Sequence, residues 1–322
     1  MKSIEIIKLQ RRCNKLTKIN EELGKSEQMY RFLAENSLDV IWQLDEAFRF
    51  VYVSPAVQPV FGYQTEELIG RSLFTLLTAD SVRKVQKKYE ERKALPLEER
   101  NKQSFIYTVE AYHKAGYTLW LEVTVNPLLD SQKRSKGFIG VTRDISERRK
   151  NEKLMYQYAF YDSLTNLPNR RFFEAMLERA VGEGTKYKRF FAVLFMDIDD
   201  FKQVNDRFGH NTGDFLLQVL AERFRRTLRA KDFAARLAGD EFVAILSDLS
   251  EREEAYSIAN RLLNYCLEPI TREDSQVEIG ISIGLSFFPD DAEGAADLIA
   301  YADHAMYAAK RSGGRTYLSY VK

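Results

Sequence analysis

The stretch RLAGDEFVAIL, residues 236–246, places an arginine, a small-residue pair and two adjacent acids directly before an apolar run fit for a buried strand. The preceding DFAARL (232–237) makes the other arm of a hairpin, so AGDE is its turn. A polar turn would account for Asp240 and Glu241, because acids are common in turns. A metal site is the alternative, and the choice depends on what folding brings to the same place. FFAVLFMDI (190–198) reads as a strand buried on both faces and ends near Asp197. Phe215, Leu216, Val219, Leu220, Phe224 and Leu228 recur at helical spacing over 212–229. A helix at about 251–267, the strand VEIGISIGLSFF (277–288) and a last helix near 295–311 complete a βαββαβ order, the split ferredoxin-like arrangement.

In that arrangement the first strand lies between the third and fourth and runs antiparallel to the third. Asp197, at the end of the first, therefore meets Asp240 and Glu241, at the start of the third. Carboxylates gathered at one rim repel unless a cation holds them, and hard oxygen ligands select Mg²⁺, or Mn²⁺ in its place. Mg²⁺ held by few protein oxygens leaves room for substrate phosphates, as in phosphoryl-transfer sites. The loop after Asp197 continues IDDFKQVNDRFGHNTGD (198–214). A strand–loop–helix junction offers backbone N–H groups to phosphate, and Lys202 adds a point charge. Asn205 and Asp214 supply an amide and a carboxylate, a pair suited to the guanine edge. Taken singly, Lys202 reads equally as a surface lysine and Asp214 as a first-turn acid.

The rest of the chain is organised differently. Over about 37–145 the pattern has period two: DVIWQLD and FRFVYVS form a hairpin, short helical pieces follow around SPAVQPVFGY and TEELIG, and QSFIYTVEAY, YTLWLEVTVNP and FIGVTRDI form three long strands. Residues 145–161 contain no Pro or Gly and predict a continuous helix between two domains. Residues 4–27 place Ile6, Leu9, Cys13, Leu16, Asn20 and Leu23 at heptad a and d positions. That is a short parallel coiled coil or an amphipathic helix packed on its own domain.

With 48 basic and 47 acidic residues the net charge is +1, which gives no overall field toward nucleic acid or an anionic membrane. Cys13 and Cys266 form no metal or redox spacing. The longest apolar run is strand-sized, so no membrane span is expected. The start MKSIEIIKLQRRCNK lacks the continuous apolar core of a secretion signal, and a cytoplasmic protein is the expectation.

Two resemblances sharpen this reading. Residues 26–146, closing on GVTRDISERRK, resemble a PAS domain. YDSLTNLPNRRFF, FMDIDDFKQVNDRFGHNTGD, RLAGDEF, ISIGLSFFP and YADHAMYAAKRSGG, in that order, resemble the diguanylate cyclase (GGDEF) family. The expected fold class is α+β: an amino-terminal helix (1–25), a PAS sensor (26–146), a linker helix (147–161) and a palm-type GGDEF domain (162–322). The second resemblance implies Mg²⁺-dependent condensation of two GTP into cyclic di-GMP and two pyrophosphates by a homodimer regulated by its PAS domain. It implies metal ligation by Asp197, the Ile198 carbonyl, Asp240 and Glu241, with the last two also catalytic. Phe201, Lys202, Asn205, Asp214 and Lys310 would bind substrate. RAKD (229–232) stands where the family carries an inhibitory product site, with Arg229 and Asp232 as its ends. The alternatives are a catalytically silent GTP- or cyclic di-GMP-binding module and a dimerisation scaffold. Ala238 replaces the motif's first glycine, which is harmless if its φ is negative and a strain if positive. Many members carry an arginine four positions after the lysine matched by Lys310, where this chain has Gly314 and then Arg315. The PAS ligand is unknown, but neither cysteine lies in the domain, and His113 at a hairpin turn is poorly placed for haem.

Overall fold

The structure, a computed structural model, describes residues 2–95, 104–130, 132, 134–272 and 275–321. It divides into two compact units, Met1–Glu152 and Lys153–Lys322.

The first unit opens with α1 (Lys2–Glu35), longer than the heptad pattern predicts. The side chains of Ile6, Leu9, Cys13 and Leu16 lie outside the described residues, while Asn20 and Leu23 are exposed. A five-stranded antiparallel sheet follows, built from β1 (Val40–Leu44), β2 (Phe50–Val53), β3 (Phe105–Tyr112), β4 (Thr118–Leu129) and β5 (Ser135–Asp144). Its order is β2-β1-β5-β4-β3. Alternate residues of β1 (Val40, Trp42, Leu44) point into the core. They face the short helices α2 (Val57–Phe61) and α3 (Thr65–Leu68) and the longer α4 (Ala79–Lys93). The last was not anticipated. Its sequence is mostly charged, and its apolar points are only Val82, Val85 and Tyr89, too sparse to announce a 15-residue helix. It is started by Thr78, whose side chain accepts from the Ser81 N–H, and its last turn buries Arg92 over the Phe105 ring at 3.9 Å. The core leaves a cavity of about 80 Å³ lined by Trp42, Tyr107, Val123 and other mostly apolar side chains.

Helix α5 (Ser146–Phe160) occupies the predicted linker and buries none of its residues, with Met155 and Tyr158 well exposed.

The second unit contains α6 (Arg170–Tyr187), β6 (Phe191–Ile198), α7 (Phe201–Phe208), α8 (His210–Thr227), β7 (Phe233–Ala238), β8 (Glu241–Leu246), α9 (Arg252–Leu267), a small hairpin of β9 (Ile270–Arg272) and β10 (Ser275–Val277), β11 (Ile281–Phe288), α10 (Ala295–Arg311) and β12 (Tyr317–Ser319). The main sheet runs β12-β11-β6-β8-β7, so the first core strand lies between the third and fourth as the topology requires. Helices cover both faces. Leu194 and Met196 of β6 pack toward α8 and α9, and Val193 and Phe195 pack toward α6 and α10. Burial on two sides explains why the strand reads as one continuous apolar run. Each such side chain contributes roughly 1.5–3 kcal/mol.

Three details depart from expectation. Helix α6 precedes the first core strand. Residues 201–227 form two helices, broken at Gly209 (φ +81°). The strand predicted at 277–288 starts at Ile281, because Val277 belongs to the separate hairpin.

Candidate active site

Antiparallel pairing sets Asp197 of β6 directly opposite Glu241 of β8. Ala238, the last residue of β7, also pairs with Glu241, so the AG-D-E turn hangs on the rim beside Asp197. Only Gly239 of the turn has positive φ, +51°. Ala238 lies outside that region, in strand backbone, so the missing first glycine imposes no strain there.

Asp197 is largely buried, its side chain 13% exposed. Burial pushes its carboxyl up to about 6; the Lys310 ammonium lying against it pulls the other way, and the charges of Asp240 and Glu241 push it up further. Although Lys310 is its ion-pair partner, Asp197 Oδ1 accepts no hydrogen bond of ordinary geometry. The rim thus carries more carboxylate than the Lys310 ammonium neutralises, a donor set that fits a hard cation. Among the described residues no three His, Cys, Asp or Glu side chains cluster tightly enough to hold a metal alone. Mg²⁺ needs only one or two carboxylates, its other positions being taken by phosphates and water.

Ile198 ends β6 and is buried; Phe201 begins α7 and packs on the core; Lys202 beside it is exposed. Asn205 and Asp214 come together at the α7–α8 junction. The Asn205 amide lies across Gly213, where a Cβ would fall 1.9 Å from its Oδ1, and that oxygen too is buried without a hydrogen bond. Asp214, the next residue, is exposed. Arg229 and Asp232 also meet: Asp232 Oδ2 accepts from the Arg229 N–H at 3.0 Å and Oδ1 from the Ser247 N–H at 3.2 Å. The Arg229 guanidinium holds Glu254 at 3.0 Å. His113 stacks on Tyr117 at the β3–β4 turn, with Nδ1 accepting from the Ala115 N–H.

Four supporting residues have no signal of their own in the sequence motifs. Asp162 accepts from the Thr165 N–H and hydroxyl and from Arg236 Nη1 at 2.9 Å. Burial alone would raise its pKa, but these bonds outweigh burial and hold the carboxyl below its usual range. Arg236 in turn donates from Nε to the Gly239 carbonyl at 2.9 Å, fixing the turn. Arg170, at the start of α6, approaches Glu241 at 3.8 Å. Asp199 bridges two loops, accepting from Ser282 Oγ and the Arg315 N–H. The D-x-x-T spacing of Asp162 and Thr165 is a turn signal open to a sequence reader; the partners of Arg236 and Asp199 are not.

An acid-rimmed ferredoxin-like domain and a five-stranded antiparallel sheet of the PAS pattern, carried on one chain, define the class of molecule. Comparison with known families makes it specific: residues 159–316 match "Diguanylate cyclase, GGDEF domain" and residues 28–145 match "PAS fold". The chain carries a GGDEF domain preceded by a PAS domain, and it belongs to the GGDEF family through the former. It is similar to the diguanylate cyclase TpbB of Pseudomonas aeruginosa, 44% identical over 162 residues covering 50% of this chain and 37% of that protein. It is also similar to the signalling protein YkoW of Bacillus subtilis, 31% identical over 307 residues covering 95% of this chain and 37% of that protein. The bifunctional diguanylate cyclase/cyclic di-GMP phosphodiesterase MucR of Pseudomonas aeruginosa is 41% identical over 190 residues, covering 59% of this chain and 27% of its own. Among solved structures, the GGDEF domain of TpbB aligns with a TM-score of 0.49 and 41% identity, over 50% of this chain and 94% of that one. The chain spans about a third of the length of these curated relatives. No described helix is long and apolar enough to cross a membrane.

Proposed function

We propose that the chain is a diguanylate cyclase, joining two GTP into cyclic di-GMP with release of two pyrophosphates. The observation that carries this reading is the gathering of Asp197, Asp240 and Glu241 at one sheet edge, where burial and the two neighbouring acids raise the Asp197 carboxyl's pKa and so favour a further cation beside it. In this reading Asn205 and Asp214 hold the guanine edge, and Phe201 packs beside them. Lys202 and Lys310 meet the phosphates. Asp197, the Ile198 carbonyl, Asp240 and Glu241 would hold Mg²⁺, or Mn²⁺ in its place. When bound, the ion supplies neutralisation of charge on the α-phosphoryl oxygens and the leaving pyrophosphate. Asp240 and Glu241 orient the 3′-hydroxyl and receive its proton as its oxygen bonds to the α-phosphorus of the other GTP. A homodimer brings the two half-sites face to face, with α5 as the coupling element from the PAS domain. Cyclic di-GMP restrains the enzyme at Arg229 and Asp232. The strand geometry of Ala238 counts against a silent module, since the turn keeps its shape.

The test is direct: incubate the purified chain with GTP and Mg²⁺ and resolve the products by liquid chromatography. Cyclic di-GMP from the wild type and none from Asp240→Ala is the expected result. GTP bound but never converted would favour the silent module, and no GTP binding the scaffold.

A further inference from the structure

Arg229 and Asp232 are not equally ready for a ligand. The turn between them closes on itself: the Asp232 N–H donates to the Arg229 carbonyl at 2.9 Å, and Asp232 Oδ2 accepts from the Arg229 N–H at 3.0 Å. Asp232 Oδ1 accepts from the Ser247 N–H at 3.2 Å, and Lys231 Nζ donates to the Asp248 carbonyl at 2.9 Å, so the turn is also fastened to the segment after β8. An ionised carboxylate offers about four acceptor sites. Asp232 is therefore fixed in place and keeps acceptor capacity for the N–H groups of a guanine edge.

The arginine end is occupied. Arg229 Nη1 donates to Glu254 Oε2 at 3.0 Å, while Glu254 Oε1 accepts from the Ser250 N–H at 2.8 Å. Glu254 lies in the first turn of α9, where the helix dipole favours a negative charge. The hydrogen bonds from Ser250 and the Arg229 guanidinium hold its carboxyl below the usual range. The arginine thus faces a charged partner that is itself anchored to the start of a helix. The pair is not sealed, however: the two side chains are 39% and 27% exposed, so water screens their attraction and a ligand can displace it. A cyclic dinucleotide brings two phosphodiester charges, and a bidentate phosphate contact needs two N–H groups of the guanidinium fork. With the backbone of the turn already closed, the ion pair between Arg229 and Glu254 is the contact that such a ligand must open.

We propose that Glu254 is an internal competitor at the inhibitory site: its carboxylate takes the place on Arg229 that a phosphate of cyclic di-GMP would take, so that product binds only by displacing it. This rests on the reading of Arg229 and Asp232 as the product site. Glu254 thereby sets how much product must accumulate before the enzyme is restrained.

The test is titration calorimetry of the full chain with cyclic di-GMP. Glu254→Gln removes the charge but keeps a side-chain oxygen to accept from the Ser250 N–H, since glutamine serves as well as glutamate in the first turn of a helix. It should bind cyclic di-GMP about 2- to 5-fold more tightly than wild type, the range expected for releasing a partly exposed ion pair. Glu253→Gln, at an exposed acid in the same turn, should bind as wild type does, and Arg229→Ala should bind more weakly than any of the others. Affinity of Glu254→Gln equal to or below wild type would overturn the proposal, the second case showing that Glu254 positions the arginine for its ligand. Equal tightening by Glu253→Gln would overturn it too, because only the general loss of negative charge would then be at work. If wild type bound no cyclic di-GMP, or Arg229→Ala bound it as wild type does, the product-site reading itself would fall, and this inference with it.

Discussion

Substitutions at positions 238 and 239 should have opposite meanings, although both exchange glycine and alanine in one turn. Ala238 ends β7 in strand backbone, exposed and paired with Glu241. Ala238→Gly restores the family's letter but only adds freedom to the unfolded chain, so it should destabilise by roughly 0.5–1 kcal/mol. Gly239 has φ +51°, and a Cβ there meets nothing within 4 Å. Gly239→Ala therefore carries only the backbone term for a left-handed non-glycine residue, about 1–2 kcal/mol, with no steric addition. For a unit of this size each kcal/mol moves the melting midpoint by about 2–4 °C. Calorimetric melts of the two variants should thus fall in order, Gly239→Ala lower than Ala238→Gly and both below wild type. Cyclic di-GMP production by Ala238→Gly should stay within about twofold of wild type, because the Arg236 bond to the Gly239 carbonyl is untouched. A melting point raised by Ala238→Gly, or a gain in turnover of tenfold, would show that Ala238 strains the turn and would refute this account.

Asp162→Ala removes three hydrogen bonds and leaves Arg236, whose side chain is 10% exposed, without its carboxylate; a loss of about 2–4 kcal/mol in urea unfolding is expected. Since the folded pKa of Asp162 is depressed, this contribution is complete above its unfolded pKa of about 3.9 and disappears as pH falls through the lower folded value, so wild type and variant should converge in acid melts. Gly213→Ala places a Cβ 1.9 Å from Asn205 Oδ1, so the amide must swing away: GTP binding should fall by roughly tenfold or more, with ATP binding, if any, unaffected. Asp197→Asn removes a buried carboxylate crowded by two others, so the metal-free protein should melt higher than wild type while losing the thermal stabilisation that added Mg²⁺ gives.

The central strands were legible because burial on both faces writes itself as uninterrupted apolar runs, FFAVLFM in β6 and ISIGLSFF in β11. Topology then followed from element order alone, and with it the meeting of Asp197 with Glu241. Helix α4 was illegible for the converse reason: it covers the PAS sheet with few apolar side chains and buries an arginine where the pattern calls for a leucine. Helix α6 does carry apolar spacing, but it was read only as part of a motif, and its packing on β7 is a tertiary fact. The break between α7 and α8 depends on Gly209, one residue with a left-handed φ, and a run of helical periodicity passes over it. The site followed the same division. Residue types at motif spacing gave the acids, Lys202, Asn205 and Asp214. The residues that hold them, Arg236, Asp162 and Asp199, reach across more than 70 positions and make ordinary hydrogen bonds, so nothing local marks them.

Those supporting contacts explain how the turn tolerates its altered letter. Three separated segments build the rim, and each is fixed by a different bond. Asp197 is placed by strand register. The turn carrying Asp240 is placed by Arg236, which donates to the Gly239 carbonyl and is itself held by Asp162. The loop after α10 is placed by the Arg315 N–H on Asp199. Two of these ties end on backbone atoms, a carbonyl and an N–H, which almost every amino acid provides. Position 238 contributes neither, and its side chain points to solvent from strand backbone. What the turn demands is a left-handed residue at 239 and an arginine at 236; a glycine at 238 is not among its requirements, and its loss leaves the carboxylates where register puts them.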